Sequence, residues 1–68
     1  MNQKEKEQWQ SYLKKNYKND YVKLEHRTKS TCIAYEGNPI LWFALNEEED
    51  IQWIVDTHNA NILVGIYE

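Results

Sequence analysis

A chain of 68 residues is long enough for one small domain, and its single cysteine excludes an intramolecular disulfide. The formal net charge is −3 at pH 7, and no apolar run approaches the roughly 18–20 residues that span a membrane. The amino terminus also lacks the apolar core of a signal peptide. We therefore expect one cytoplasmic domain over residues 1–68 that makes no contact with a membrane.

The first predicted element is an amphipathic helix over residues 3–18. Its apolar side chains recur every three or four residues, which is the spacing of one helix face: Trp9, Tyr12, Leu13 and Tyr17. Lysines and glutamates occupy most of the other positions and would face solvent. Asn19 and Asp20 then end the helical pattern.

Three strands are predicted to follow, over residues 21–27, 31–36 and 40–45. The first alternates apolar and charged side chains, as a strand with one buried face does. Gly37 and Asn38 have the composition of a two-residue hairpin turn. The last of the three strands is apolar at every position, which is typical of an interior strand.

A second helix is predicted to begin at Asn46, an N-cap residue with Glu49 as its capping-box partner. Its buried stripe would consist of Ile51, Ile54 and Val55. Residues 62–67 have the pattern of a final strand. The predicted fold class is α+β, a two-layer sandwich of order α-β-β-β-α-β in which two helices back a four-stranded, mostly antiparallel sheet.

The alternation of side chains along the strands predicts which residues share a face of the sheet. With even-length turns, the helix-covered face holds Ile33, Tyr35, Ile40 and Trp42. The opposite face then combines a charged half with an apolar half, and its residues are Tyr21, Lys23, Glu25, Arg27, Cys32, Ala34, Glu36, Leu41, Phe43 and Leu45. Because two helices cover only one face well, we expect the second face to contact another molecule.

No arrangement of residues in the sequence predicts catalysis. Cys32 and His26 flank the same turn, but alternation directs their side chains to opposite faces. His26, Cys32 and His58 also lack the paired spacing of a zinc site. The only glycines, Gly37 and Gly65, cannot form a glycine-rich phosphate loop. We therefore expect neither enzymatic activity nor a bound metal or cofactor.

The charges are unevenly distributed along the chain. All eight basic residues lie in the first 34 positions with four acidic ones, whereas the other positions carry seven acidic residues. The order α-β-β-β-α resembles the double-stranded-RNA-binding domain, which grips phosphates with a basic start to its last helix. At the matching positions this chain has carboxylates, which argue against direct nucleic-acid binding: Glu47, Glu48, Glu49 and Asp50.

In size, element order, charge and the stretch from Asp20 to Leu24, the chain is similar to small acidic α+β proteins of phages, including some anti-CRISPR inhibitors. The likeness implies a phage- or mobile-element-encoded protein that modulates or inhibits a macromolecular partner. We expect a protein partner, bound through the acidic helix start and the half-apolar sheet face. The predicted partner-binding residues are Glu47, Glu48, Glu49, Asp50, Tyr21, Lys23, Arg27, Leu41 and Phe43.

Two alternatives stay open. Two half-apolar sheet faces, or two edge strands, could pair to give a homodimer. Such a dimer could hold a small, nucleotide-like ligand among Trp42, Trp53 and Tyr35. The other alternative is an acidic nucleic-acid mimic that inhibits a DNA- or RNA-handling enzyme.

Overall fold

Two helices lie on one face of a three-stranded antiparallel sheet in the computed structural model, which describes residues 1–65. The elements are α1 (Gln3–Asn16), β1 (Lys23–His26), β2 (Thr31–Tyr35), β3 (Asn38–Phe43), a 3-10 turn (Leu45–Glu47) and α2 (Glu48–Leu63). The strand order is β1-β2-β3. This arrangement confirms the α+β class, but the predicted four-stranded sheet is wrong because the described residues form three strands.

Helix α1 begins at Gln3 because Asn2 caps it. The Asn2 carboxamide oxygen accepts a hydrogen bond from the Glu5 backbone N–H at 2.8 Å. The helix ends at Asn16, two residues before the predicted end, since Tyr17 leaves the helical region with φ −133°. Lys14 and Lys15 in the last turn stabilise the negative end of the helix dipole.

The β2–β3 hairpin turns at Glu36-Gly37, one residue earlier than predicted. Both residues have positive φ, 51° and 83°, as the central residues of a type I′ turn do. Tyr35 therefore pairs with Asn38, and Ala34 with Pro39. At the next step Ile33 pairs with Leu41, so that Ile40 is an extra residue in β3 and forms a β-bulge.

The bulge decides which side chains of β3 face the helices. Leu41 and Phe43 pack against the core, whereas Trp42 lies opposite Cys32 on the other face and is 55% exposed. The predicted positions of these three residues are therefore wrong. The physical reason is that one extra residue reverses the alternation beyond it. We call the side of the sheet away from the helices the outer face; its residues are Tyr21, Lys23, Glu25, Cys32, Ala34 and Trp42.

Helix α2 continues through part of the segment that we predicted as a strand. Ile62 and Leu63 are helical, and the Val64 N–H closes the helix on the Ala60 carbonyl before Gly65, which has φ 76°. A short apolar run fits a helix end and a strand equally well by pattern alone, which explains the error. The remainder of the predicted strand, residues 66–67, lies outside the described residues.

The start of α2 also differs from the prediction. Asn46 lies within the 3-10 turn and is not the N-cap, and no side chain of the described residues caps α2. Instead the Glu47 carboxylate accepts a weak hydrogen bond from the Ala44 N–H at 3.4 Å. The acidic first turn, Glu48 to Asp50, still faces the positive end of the helix dipole.

The two helices run parallel, with both amino termini at the same end of the molecule. At that end the Met1 amino group contacts Asp50, and further along the Gln10 carboxamide donates to the Ile54 carbonyl at 2.7 Å. The hydrophobic core lies between the helices and the sheet and consists of Leu13, Val22, Ile33, Ile51, Ile54 and Val55.

Candidate functional site

The centre of the outer face is formed by two small residues of the middle strand. Cys32 and Ala34 are 0% and 2% exposed although the helices lie on the other side of the sheet. Tyr21 and Trp42 flank them, and each is 55% exposed. Small side chains in the middle strand therefore leave a low floor between two aromatic side chains.

A depression of about 660 Å³ opens at one end of the outer face, near the β2–β3 turn. Ala34 forms its floor and Tyr21 one of its walls. Its remaining lining includes charged and amide side chains from three parts of the fold: Lys23, Glu25, Glu36 and Asn59. The cavity is thus amphipathic, with an aromatic wall and polar groups at the rim.

The outer face carries charges of both signs. Arg27 reaches onto this face, where its guanidinium donates to the Glu25 carboxylate at 2.7 Å. Contact with Cys32 and the charge of Glu25 both raise the pKa of Arg27, although desolvation opposes them. Lys23 makes no ion pair with any other described residue. The pair of Arg27 and Glu25 is therefore neutral, and Lys23 leaves a free ammonium at the depression.

Most of the acidic side chains at the start of α2 form contacts within the molecule. The Asp50 carboxylate binds the Met1 amino group at 3.0 Å and the Lys6 ammonium at 3.3 Å. The hydrogen bond from Met1, followed by that from Lys6, lowers the pKa of Asp50, and the same contact raises the pKa of the Met1 amino group. Glu48 lies 3.4 Å from His26.

Met1, Lys6 and His26 of the first half of the sequence therefore contact acidic residues of the second half. Of the four acidic residues at the start of α2, Glu49 is exposed and has no partner among residues 1–65. Glu48 keeps 49% of its side chain exposed. These two carboxylates remain accessible to a partner. Those of Glu47 and Asp50 instead bind groups of the same chain: the Ala44 N–H, the Met1 amino group and the Lys6 ammonium.

The end of α2 anchors the start of β1, a feature that our sequence analysis missed. The His58 ring is fully buried, and its Nε2 lies 3.0 Å from the Asp20 carbonyl oxygen. The Asn59 carboxamide accepts from the Val22 N–H at 3.0 Å and donates to the Val22 carbonyl at 2.8 Å. Asn59 is helical in the structure, because α2 continues past it to Leu63.

The side chains of Cys32 and His26 lie on opposite faces of the sheet, as their alternation along the strands predicts. Cys32 is buried on the outer face, whereas His26 lies on the other face beside Glu48. Residues 1–65 hold no group of three or more histidine, cysteine or carboxylate side chains that could bind a metal. Nor does any helix in this range have the length and apolar character to span a membrane.

The aromatic residues suggested for a ligand pocket lie on separate surfaces within one copy. Trp42 is on the outer face. Trp53 is 41% exposed on α2, with the Lys6 ammonium 5.4 Å from the centre of its ring. Tyr35 packs against Tyr17 on the helix-covered face, with ring centres 5.7 Å apart. These three residues do not line one pocket of a single chain.

No protein-family model matches the chain, and neither the curated proteins nor the solved structures include a significant match to it.

Proposed function

We propose that this chain is a non-enzymatic binding module that modulates a protein partner through its outer face. The observation that carries the proposal is the pair of half-exposed aromatic residues, Tyr21 and Trp42, beside a buried floor of small side chains. Tryptophan and tyrosine contribute more binding energy than other residues in protein interfaces. An uncovered sheet face with two such residues has the character of a contact surface.

The charge of the molecule favours a protein over a nucleic acid as the partner. The net charge is −3, and Glu25 and Glu36 on or beside the outer face balance Lys23 and Arg27. Nucleic-acid binding depends on a net positive surface that releases counterions from phosphates. A face of balanced charge lacks that driving force but suits the mixed polar rim of a protein interface.

The accessible carboxylates of α2 supply a second, weaker contact in this proposal. Glu48 and Glu49 would attract a basic partner and raise the association rate. An acidic mimic of nucleic acid is a poorer fit, because Asp50 is already neutralised by Met1 and Lys6.

The likeness to small phage proteins supports an inhibitory role and an origin in a phage or mobile element.

The test compares two exposed tryptophans on opposite sides of the molecule. Wild-type protein, Trp42→Gln and Trp53→Gln would each be immobilised and exposed to lysate of the native host. We expect a partner that is captured by the wild type and by Trp53→Gln but bound at least about tenfold more weakly by Trp42→Gln. Equal capture by both variants would show that the outer face is not the binding surface.

A further inference from the structure

Strand β1 is an edge of the sheet with backbone groups that point away from its neighbour. The Val22 N–H and carbonyl face outward, since both bind the Asn59 carboxamide rather than β2. Backbone groups of a strand alternate in direction with a period of two. Leu24 and His26 therefore also direct their N–H and carbonyl groups to the open edge.

The other edge of the sheet is less suited to strand pairing. Strand β3 contains Pro39, which has no N–H to donate, and the bulge at Ile40. Proline and bulges both protect edge strands against pairing with another chain. Strand β1 has neither feature, and its four residues pair regularly with β2. Of the two edges, β1 is the one that can accept a further strand.

The outer-face side chains of β1 and its flanking residues are complementary in charge to the same side chains of a second copy in antiparallel orientation. We propose that two copies of this chain pair through β1 in antiparallel orientation, with Leu24 opposite Leu24 of the second copy. In this register Lys23 lies opposite Glu25 of the second copy, and Glu25 opposite its Lys23. Tyr21 lies opposite Arg27 of the second copy, where a cation–π contact can form. Each charged side chain of the pairing thus meets an opposite charge or an aromatic ring.

The charge pattern also selects this register over its neighbours. Because outward-facing backbone groups must meet, the register can shift only in steps that keep even-numbered residues opposite one another. One such step places Lys23 opposite Lys23, and the step in the other direction places Glu25 opposite Glu25. Like charges directly opposite each other destabilise a strand pair. The alignment centred on Leu24 is free of such clashes.

Asn59 limits the length of this contact. Its carboxamide occupies the outward groups of Val22 in the same way as a peptide unit of a neighbouring strand. The outward groups of Leu24 pair with no strand among residues 1–65, whereas the pairs between Val22 and His26 form only if Asn59 gives way. The proposed pairing does not depend on the proposed function being correct. In the dimer, the two sheets would join into one sheet of six strands, and their outer faces would form one surface.

Charge reversal with rescue tests the pairing. Sedimentation of the wild type should show a monomer–dimer equilibrium below about 1 mM, the weak end of specific association. Lys23→Glu and Glu25→Lys each convert two attractive pairs into repulsive ones and should weaken the dimer on the order of tenfold. An equimolar mixture of the two variants should restore dimerisation, since each then faces opposite charges. The double variant should also dimerise like the wild type.

Lys29→Glu is the matched control, because it makes the same charge change as Lys23→Glu in the exposed loop between β1 and β2. It should dimerise like the wild type, and circular dichroism should show that all variants keep the fold. A wild-type protein that stays monomeric up to about 1 mM would overturn the proposal. So would single variants that dimerise normally, a mixture without rescue, or a control weakened as much as Lys23→Glu.

Discussion

The Asn59 side chain forms two hydrogen bonds with the backbone of Val22, at 3.0 Å to the N–H and 2.8 Å to the carbonyl oxygen. These bonds join the last turns of α2 to the strand that begins the sheet. The carboxamide thereby satisfies one donor and one acceptor that an edge strand would otherwise leave to solvent.

Asn59→Ala should lower the free energy of unfolding by about 1–3 kcal/mol, because two hydrogen bonds to a partly buried backbone are lost. Chemical denaturation measures the change. Asn61→Ala is the control, since Asn61 lies in the same helix and its side chain makes no hydrogen bond to another described residue. It should change stability by less than about 0.5 kcal/mol. Similar losses in the two variants would show that the Asn59 contacts contribute little.

The ion pair between Met1 and Asp50 predicts a loss of stability at both extremes of pH. The pKa of Asp50 is lowered, so its contribution is present above the ordinary aspartate pKa of about 3.9 and is lost as pH falls through the lowered value. The pKa of the Met1 amino group is raised. That contribution is complete below the ordinary value of about 8 and is lost as pH rises through the raised one.

Thermal melts of the wild type and Asp50→Asn across pH test this pair. The wild type should be more stable at pH 6–7, and the difference between the two proteins should shrink in acid and in alkali. A difference that stays constant across the whole range would exclude the ion pair as its cause.

The positive φ angles in the turn of the β2–β3 hairpin predict that substitutions at its two central residues change stability in opposite directions. Gly37→Ala should destabilise the protein by about 1–2 kcal/mol, since a side chain is disfavoured at positive φ. The space around Gly37 is open within 4 Å, so the cost would come from the backbone alone. Glu36→Asn should instead be neutral or stabilising by a few tenths of a kcal/mol, because asparagine tolerates positive φ better than glutamate. Denaturation midpoints measure both changes, and Glu36→Asn is the informative variant because Gly37 is also a central residue of a turn at Gly37-Asn38.

Leu13 and Leu63 should respond very differently to truncation. Leu13 is fully buried, so Leu13→Ala should cost about 2–5 kcal/mol. Leu63 is 76% exposed at the end of α2, and Leu63→Ala should change stability by less than about 0.5 kcal/mol. A large loss from Leu63→Ala would indicate that this segment is buried, as a fourth strand would be.

The elements that could be predicted from the sequence are those with strong local signals. The spacing of Trp9, Leu13 and Tyr17 identified α1, and alternation identified β1. The apolar stripe of α2 was also clear, because Ile51, Ile54 and Val55 are all buried in the structure. Each of these patterns depends on residues within a few positions of one another, where local geometry determines the outcome.

The errors arose where distant contacts or a single inserted residue decide the structure. Alternation cannot reveal the bulge at Ile40, so Leu41 and Phe43 were assigned to the wrong face. The acidic residues of α2 looked available for binding, but the partners of Asp50 come from the other end of the sequence. Lys23 and Arg27 were placed correctly beside the outer face because β1 pairs with β2 without a bulge.

The bulge has a further consequence for how this hairpin tolerates changes in length. Pro39 pairs with Ala34 and Leu41 with Ile33, while Ile40 between them has no partner in β2. Loss of Ile40 would therefore leave every cross-strand pair and the whole outer face in place, at the cost of one apolar contact with the core. Position 40 is thus a point where the chain can shorten by one residue while the surface it presents to a partner stays the same.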